Sequence, residues 1–233
     1  MTLKVDNVTA GYGDITVLRD VSLAVEAGET LGVLGRNGMG KTTLIRCLAG
    51  LIPVTSGSIS FDGRDITTLS VHERARLGIT TVVQGRGIFP RLSVAENLEM
   101  GRIASGRSKR SRVDEVLGYF PQLAERMRQV ASTLSGGEQQ MLAVGRGLMT
   151  DPRLMLLDEP SEGIMPILVQ QISKILSDIN RKENLTIVIV EQNVPMVFSM
   201  TDECIILEKG QVVAGGTRQE VSSSEVMKEY LAI

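Results

Sequence analysis

Residues 30–43, T-L-G-V-L-G-R-N-G-M-G-K-T-T, constrain the fold more than any other stretch of this chain. An apolar run up to Leu34 fits a buried strand, and residues 41–51 have helical spacing. The glycine-rich turn between them matches the phosphate-binding pattern G-x-x-x-x-G-K-[ST]. Glycines let successive N–H groups point inward at a phosphate, and the helix start adds the positive end of its dipole. The stretch therefore predicts a nucleoside triphosphate site.

Two side chains of this turn carry the expected chemistry. Lys41 supplies a full positive charge for the β- and γ-phosphates, and the Thr42 hydroxyl is a ligand for Mg²⁺. The alternative is a plain glycine turn followed by a helix-capping threonine. Under the nucleotide interpretation, the contacting residues are Gly35, Arg36, Asn37, Gly38, Met39, Gly40, Lys41, Thr42 and Thr43.

A second apolar run, residues 153–158, ends in two acids. Asp158 is placed to hold Mg²⁺ from its second coordination shell, as the partner acid of a phosphate loop does. Glu159 follows directly and is a candidate general base that polarises the attacking water. The alternative is a strand end capped by two acids facing solvent. The phosphate loop earlier in the chain favours the catalytic interpretation.

A third segment, L-S-G-G-E-Q at residues 134–139, precedes a helical pattern. Ser135 is placed as an N-cap, and Gly136 and Gly137 leave backbone N–H groups bare at the helix start. This predicts a second anion-binding helix terminus. One chain gains little from two such sites for one phosphate, whereas two chains placed head to tail gain a site to which each contributes one half.

Composition limits the remaining possibilities. The 233 residues fit one domain, and a net charge of −2 gives no support for nucleic-acid binding. No run approaches the ~18 apolar residues of a membrane span, and the N-terminus lacks an apolar signal core, so we expect a cytosolic chain. Cys47 and Cys204 lie in apolar patterns and are expected to be buried free thiols. His72, in a charged stretch, is expected on a helix surface.

The order of strand and helix patterns predicts the architecture. Residues 3–8 and 15–25 alternate as antiparallel strands around a turn at 11–13, and 56–63 continues this β-rich edge. Strands then alternate with helices, which implies a mostly parallel sheet with helices on both faces. Strand signals disappear between 85 and 151, where the patterns are helical. Within that stretch, the basic residues from Arg102 to Arg112 are expected in a solvated loop.

Taken in order, these motifs resemble the ATP-binding-cassette ATPase family over essentially the whole chain. The resemblance implies an α/β fold, a P-loop NTPase (RecA-like) core with an antiparallel β subdomain and an inserted α-helical subdomain. The single domain, 1–233, would comprise a core with β subdomain from 1–84 and 152–233, and a helical subdomain at about 85–151 that carries L-S-G-G-E-Q.

The resemblance also implies roles that spacing alone leaves open. The substrate would be ATP with Mg²⁺. Tyr12, which spacing alone places equally well in a hairpin, would stack on adenine. Gln84, just past a predicted strand, would touch Mg²⁺ and the attacking water and link the core to the helical subdomain. Ser135, Gly136 and Gly137 would close on the γ-phosphate bound by the opposite protomer.

Two departures from the family pattern stand out. Gln192 occupies the position where most members carry a histidine that contacts the γ-phosphate, and residues 162–165 lack the family's aspartate. The Gln192 amide can still donate a hydrogen bond but brings no titratable charge. The site is expected either to hydrolyse slowly or to rely on a partner with a full set of residues.

The segments P-S-E-G-I-M-P, V-E-Q-N and G-R-G-I-F-P-R-L resemble LivF-type ATPases of branched-chain amino acid importers, with urea and short-amide importers as the alternative. This implies two membrane permease subunits, a second and unlike ATPase (a homodimer being possible), an external substrate-binding protein acting indirectly, and no nucleic acid. The chain would sit peripherally at the cytoplasmic face of the inner membrane. Arg86, Phe89 and Leu92 would line the groove for a permease coupling helix, although Phe89 fits ordinary core packing equally well.

Three alternative functions remain at this stage. A soluble cassette ATPase of repair or translation usually has coiled-coil or tandem-cassette insertions, which 233 residues do not accommodate. A nucleotide-gated module with weak turnover is kept open by Gln192. Lipopolysaccharide export uses similar short ATPases, but those generally retain the histidine.

Overall fold

The computed structural model describes residues 2–105 and 112–231, arranged as two β-sheets and a set of helices. The strands are β1 (Leu3–Tyr12), β2 (Ile15–Val25), β3 (Thr30–Leu34), β4 (Val54–Phe61), β5 (Arg64–Asp65), β6 (Ile79–Val82), β7 (Leu154–Asp158), β8 (Thr186–Glu191), β9 (Glu203–Glu208) and β10 (Gln211–Thr217). The α-helices are α1 (Lys41–Ala49), α2 (Val71–Leu77), α3 (Val94–Ser105), α4 (Val113–Tyr119), α5 (Pro121–Ala124), α6 (Gly136–Leu148), α7 (Pro166–Glu183), α8 (Val194–Met200), α9 (Arg218–Ser223) and α10 (Glu225–Leu231).

The larger sheet has the strand order β10-β9-β3-β8-β7-β6. All of its neighbouring pairs are parallel except β9 with β10, which form an antiparallel hairpin. Every residue of β3, β7 and β8 is buried, as expected for parallel strands covered on both faces. Leu34 is level with Glu191, and Asp158 is level with Val190. The loops that follow these three strands therefore leave the sheet at one edge.

Side chains of the larger sheet alternate between two apolar clusters. Leu156 and Val188 pack on one face with α1 and the smaller sheet, whereas Met155 and Ile189 pack on the other face with residues of α6 and α7. This period of two is the geometry of extended strands. The predicted parallel sheet with helices on both faces is confirmed.

The smaller sheet has the order β2-β1-β4-β5 and is antiparallel throughout. The predicted strands at its edge are confirmed, but the predicted turn at 11–13 is partly wrong. Gly11 and Tyr12 pair with Thr16 and Ile15 as the last residues of β1, so the turn is confined to Gly13 and its neighbour Asp14. Gly11 and Gly13 suggested a turn of three residues, but the pairing of β1 with β2 extends to Tyr12 and leaves a turn of two.

The described residues between β6 and β7 form helices joined by loops and turns, with no strand among them and one isolated bridge between Ser93 and Val130. The prediction of a solvated basic loop from Arg102 to Arg112 is wrong at both ends, and residues 106–111 lie outside the described part of the chain. Arg102 belongs to α3 and pairs with Glu99. Arg112 is buried and contacts the acids Asp151 and Glu183. These carboxylates lie far along the chain, so sequence composition did not reveal them.

The smaller side-chain predictions hold. Cys47 and Cys204 are buried free thiols, and burial raises the pKa of each to about 11. His72 is exposed on α2. Over residues 2–105 and 112–231, none of the helices combines the length and apolarity that a membrane span requires.

Candidate nucleotide site

The phosphate loop connects β3 to α1. Gly38 and Gly40 have φ angles of 80° and 106°, a region that L side chains rarely adopt. Gly40 also caps α1 and leaves the first N–H groups of that helix without a side-chain partner. The loop thus presents bare backbone N–H groups beside the positive end of a helix, which is the geometry that a phosphate requires.

Lys41 lies inside this loop with its side chain only 3% exposed. Its Nζ donates to the carbonyl oxygens of Gly35, at 2.7 Å, and Arg36, at 3.0 Å. The same Nζ lies 2.8 Å from Glu159 Oε1. The lysine is thus oriented by the backbone and neutralised by the candidate general base.

Thr42 and Asp158 form the second contact of the site. Thr42 Oγ1 donates a hydrogen bond of 3.1 Å to Asp158 Oδ1. Burial, reinforced by the negative charge of Glu159, raises the pKa of Asp158 to about 6, although the Thr42 hydrogen bond acts in the opposite direction. A hydroxyl and a carboxylate are hard oxygen donors of the kind Mg²⁺ prefers when it also binds substrate phosphates. The pair therefore fits Mg²⁺, and among the described residues no cluster of three acid, histidine or cysteine side chains forms a separate metal cage.

Glu159 stands at the carboxyl edge of the larger sheet in an unusual backbone conformation, with φ of 46°. Its N–H donates to the carbonyl oxygen of Val190, at 2.9 Å. Gln84 Nε2 donates to Glu159 Oε2, at 3.3 Å, and to Glu162 Oε2, at 3.1 Å. Both carboxylates therefore hold Gln84 by its amide nitrogen.

The phosphate loop, Gln84 and Glu159 line an open cleft of about 250 Å³. Its described lining residues are Val17, Asn37, Gly38, Gly40, Lys41, Thr42, Thr43, Gln84 and Glu159. Gly35 lies directly behind the loop, where its carbonyl oxygen accepts from Lys41. The structure thus brings the predicted phosphate loop, Gln84 and Glu159 together around one space.

Two of the predicted loop residues point elsewhere. Arg36 Nη2 donates to the carbonyl oxygen of Glu229 in α10, at 3.2 Å. Met39 contacts the β9–β10 hairpin, because its carbonyl oxygen accepts from the N–H of Gly210 and its sulfur from the N–H of Lys209. These contacts join the phosphate loop to the C-terminal part of the chain.

Tyr12 lies at the end of β1 with 41% of its surface exposed. Its hydroxyl oxygen accepts a 3.1 Å hydrogen bond from Arg46 Nη1, and Arg46 is one helical turn beyond Thr42 on α1. Tyr12 is therefore held beside α1 at its hydroxyl end, and it is not among the described lining residues of the cleft around Lys41 and Glu159.

The segment containing Ser135 begins α6. The Ser135 hydroxyl accepts from the N–H of Glu138, whose carboxylate accepts from the N–H of Ser135 at 2.8 Å, so the predicted N-cap is confirmed as a capping box. Gly136 and Gly137 form the first turn, and Gly137 packs against Leu168 of α7. None of the three is among the described lining residues of the cleft formed by Lys41 and Glu159. Ser135 is exposed, whereas Gly136 is half-buried beside Arg86 and Gly137 is buried.

The segment after Gln84 is fixed to α6 by two arginines. Arg86 Nη1 donates to Gln139 Oε1, at 2.9 Å, and Arg146 Nη2 donates to the carbonyl oxygen of Gly87, at 2.7 Å. The Arg146 guanidinium lies over the Phe89 ring, 5.0 Å from its centroid. Phe89 is 42% exposed, so ordinary core packing, the alternative for this residue, does not apply.

Sequence reasoning did not assign roles to Arg46, Glu162 and Glu191. Glu191 is the residue just before Gln192, and its buried carboxylate accepts hydrogen bonds from the N–H groups of Gln192 and Asn193. Glu162 and Arg46 contact Gln84 and Tyr12, respectively. The only signal in the sequence was that each residue lies within a few positions of a predicted site residue. That signal does not distinguish a side chain that contacts the site from an exposed charge.

The parallel sheet, the phosphate loop after β3 and the buried acid Asp158 at the end of β7 define a P-loop nucleotide-binding fold. Residues 18–162, more than half of the chain, match the family model described as ABC transporter. The chain belongs to the ABC transporter ATP-binding family, and it is an ATPase.

Relatives of known name cover nearly the whole chain. It is 44% identical over 216 residues to BraG, a high-affinity branched-chain amino acid transport ATP-binding protein of Pseudomonas aeruginosa, with 92% of each chain covered. It is 35% identical to a lipopolysaccharide export ATP-binding protein, LptB, of Haemophilus influenzae, with 97% and 95% covered. It is also 35% identical to a probable branched-chain amino acid transport ATP-binding protein, LivF, of Archaeoglobus fulgidus, with 96% and 95% covered.

Solved structures share the fold. A nucleotide-free ATP-binding cassette from an ABC transporter superposes with a TM-score of 0.88 at 27% identity, over 99% of this chain and 98% of the other. A dimeric post-hydrolysis cassette bound to ADP and phosphate gives a TM-score of 0.82 at 25% identity, over 92% and 98%. The predicted fold class is confirmed. ATPases of this family bind ATP and work as dimers with membrane permease subunits.

Proposed function

We propose that this chain is the ATP-hydrolysing subunit of an importer for branched-chain or other hydrophobic amino acids. The observation that carries the proposal is the cleft in which Lys41, Thr42, Gln84 and Glu159 meet, within a chain that is 44% identical to BraG. Two unlike ATPases would sit beneath two permease subunits at the cytoplasmic face of the inner membrane. A substrate-binding protein outside the membrane would deliver the amino acid.

Nucleotide binding begins at the phosphate loop. Backbone N–H groups of the phosphate loop after Gly35 surround the β-phosphate, and Lys41 exchanges its contact with Glu159 for the β- and γ-phosphate oxygens. Tyr12, held by Arg46, stacks on the adenine ring. The orientation of Lys41 by two backbone carbonyls supports this assignment, because the ammonium is already positioned before the phosphate arrives.

Hydrolysis uses the acids at the end of β7. Thr42, Gln84 and Asp158 would hold Mg²⁺, which offsets the negative charge of the phosphates. Glu159, released from Lys41, accepts a proton from the attacking water, and Gln84 and Gln192 position that water and the γ-phosphate. The two hydrogen bonds that orient the Gln84 amide support its role as a metal and water contact.

Dimer closure completes the site. Ser135, Gly136 and Gly137 of one protomer bind the γ-phosphate held by the other, and hydrolysis separates them again. Motion passes to the permease through the segment 86–92, because Arg86 and Arg146 fix that segment to α6, the helix that begins with Gly136 and Gly137. We propose that residues 85–151 move as the helical subdomain in this cycle.

Two other functions have specific support. Lipopolysaccharide export is favoured by the 35% identity to LptB, but the identity to BraG is higher. A nucleotide-gated module with weak turnover is favoured by Gln192. A urea or short-amide importer remains the nearest alternative for the cargo itself.

The test is reconstitution of the native membrane complex in liposomes with its binding protein. We expect purification of this chain to recover a second ATPase and two multi-span proteins. ATP hydrolysis should rise at least several-fold with leucine-loaded binding protein, and Glu159→Gln in this chain should abolish the rise. Stimulation by urea or acetamide instead of leucine would overturn the assignment of an amino acid as the cargo. Recovery of the chain without any membrane protein would overturn the transport role.

A further inference from the structure

Glu191 is a buried acid without a role in the mechanism above. It is the last residue of β8 and only 2% exposed. Its described contacts are with three backbone N–H groups and with the Ser161 side chain. Oε1 accepts from Ser161, at 2.7 Å, and Oε2 accepts from Gln192 and Asn193, at 3.1 and 3.2 Å.

The backbone of Glu191 also contacts a third segment, the phosphate loop. Its carbonyl oxygen accepts a hydrogen bond of 3.3 Å from the N–H of Gly35, the first residue of the phosphate loop. Because β3, β8 and β7 are adjacent and end level with one another, one residue reaches the loops that follow all three strands.

Each of these loops contains a residue of the hydrolytic site. Ser161 lies in the tight turn that starts at Glu159, closed by a 3.1 Å bond from the Glu162 N–H to the Glu159 carbonyl. Gln192 lies in the short loop that ends at Asn193, the N-cap of α8. The carboxylate therefore joins the catalytic turn to the Gln192 loop through its two different oxygens.

Only a carboxylate of this length satisfies both loops. Each of its oxygens is an acceptor, whereas a glutamine side chain has one acceptor oxygen and one donor NH₂ group. In Glu191→Gln, one loop would face a donor and lose its hydrogen bond. Burial raises the pKa of Glu191, and hydrogen bonds from the Ser161 side chain and from the N–H groups of Ser161, Asn193 and Gln192 counteract part of that increase.

We propose that Glu191 is a positioning residue that couples the Gln192 loop to the turn carrying Glu159, so that a γ-phosphate contact at Gln192 sets the position of the general base. The proposal rests on the roles of Gln192 and Glu159 in the proposed function. It assigns to Glu191 no contact with the substrate.

The first experiment is backbone amide exchange, measured by mass spectrometry on the full chain without nucleotide. In Glu191→Gln, we expect at least a fivefold increase in exchange rate in peptides covering both 159–165 and 190–195. Glu203→Gln is the matched control, because it makes the same substitution at an exposed position on β9, another strand of the same sheet. Exchange in Glu203→Gln should equal that of the wild type.

The second experiment separates positioning from general stability. We expect Glu191→Gln to lower kcat at least tenfold while KM for ATP stays within threefold and Tm stays within a few degrees. If Glu191→Gln does not fold, Glu191→Asp takes its place with the same expected split, because its carboxylate is one methylene too short to reach both loops.

Two results would overturn the proposal. One is wild-type exchange and kcat in Glu191→Gln. The other is faster exchange throughout the sheet with a large fall in Tm, which would make Glu191 a purely structural residue. A wild-type chain that never hydrolyses ATP, even in its complex, would refute the proposed function, and the exchange experiment would still decide whether Glu191 joins the two loops.

Discussion

Asp158 combines burial with a need to be ionised. The carboxyl group is 4% exposed, and Glu159, Lys41 and Arg46 are the charged groups that face it. Since its pKa rises from 3.8 to about 6, the folded protein binds more protons than the unfolded chain between these pH values. Stability contributed by the protonated carboxyl is therefore present below pH 4 and is lost as the pH rises through 6.

Asp158→Asn should remove this pH dependence. Without Mg²⁺ or nucleotide, we expect the variant to become more stable than the wild type as the pH rises from 4 to 7, by about 1–3 kcal/mol. Urea unfolding at several pH values measures the difference, and Asp202→Asn, at an exposed position, is the control. A difference that stays constant with pH would contradict the prediction.

Gln192 is the second residue whose chemistry is unusual for the family. Histidine and glutamine both donate a hydrogen bond, so we expect Gln192→His to change kcat by less than tenfold. Gln192→Ala removes the donor and should lower kcat further than that. Steady-state ATP hydrolysis measures both. A change of tenfold or more in Gln192→His would indicate that glutamine at this position itself regulates turnover.

At the scale of elements, the β9–β10 hairpin joins the two sheets at Gly210. Its carbonyl oxygen accepts from the N–H of Arg19, and its N–H donates to the carbonyl oxygen of Met39 in the phosphate loop. The φ angle is 80°, and an added Cβ would lie 1.7 Å from the carbonyl oxygen of Val17. Val17 also lines the nucleotide cleft, so this turn supports the site directly.

Gly210→Ala should therefore destabilise the protein more than backbone strain alone predicts. Gly63 has a φ of 75° with no atom within 4 Å of an added Cβ, so Gly63→Ala measures the strain, about 1–2 kcal/mol. We expect Gly210→Ala to cost at least about 2 kcal/mol more, because backbone atoms must move. Urea midpoints of the two variants give the comparison, and equal losses would refute the expected clash.

The elements that the sequence predicted well are those whose signal is local. The buried strands β3, β7 and β8 are continuous apolar runs, and the N-cap of α6 lies within four residues. The errors involve long-range partners. Arg112 resembles any basic loop residue until Glu183, 71 residues away, reaches it.

For the site, the same distinction holds. Motifs with fixed spacing led to the phosphate loop and to Glu159, whereas Glu191 looks like any acid at a strand end. Its burial follows from the central position of β8 in the sheet, which one strand's sequence does not encode. The roles of Ser135, Gly136 and Gly137 stay predictions. The boundaries of the helical subdomain, at 84/85 and 151/152, also stay predictions.

At the scale of the whole molecule, the proposed mechanism requires two chains at each site. We expect Glu159→Gln, which keeps ATP bound, to elute as a dimer with ATP and Mg²⁺ and as a monomer without them. Adding Ser135→Asp should abolish the dimer, because a negative charge would face the partner's γ-phosphate.

Ser135→Asn is the matched control for that experiment, because asparagine and aspartate cap helices about as well as serine. It should leave the dimer intact in the Glu159→Gln background. ATP affinity of the isolated protomers should be similar in both double variants, since Ser135 does not line its own cleft. Dimerisation of the Ser135→Asp double variant would refute the head-to-tail arrangement.

In the proposed mechanism, the ion pair between Lys41 and Glu159 couples nucleotide binding to activation of the general base. While the ammonium holds Glu159 Oε1, the general base of the proposed mechanism is paired and is not yet free to take a proton from water. Arrival of the triphosphate draws the lysine away and frees the base in the same movement. In the proposed mechanism, ATP binding and release of the general base are then one event, so the catalytic site stays inactive until nucleotide binds.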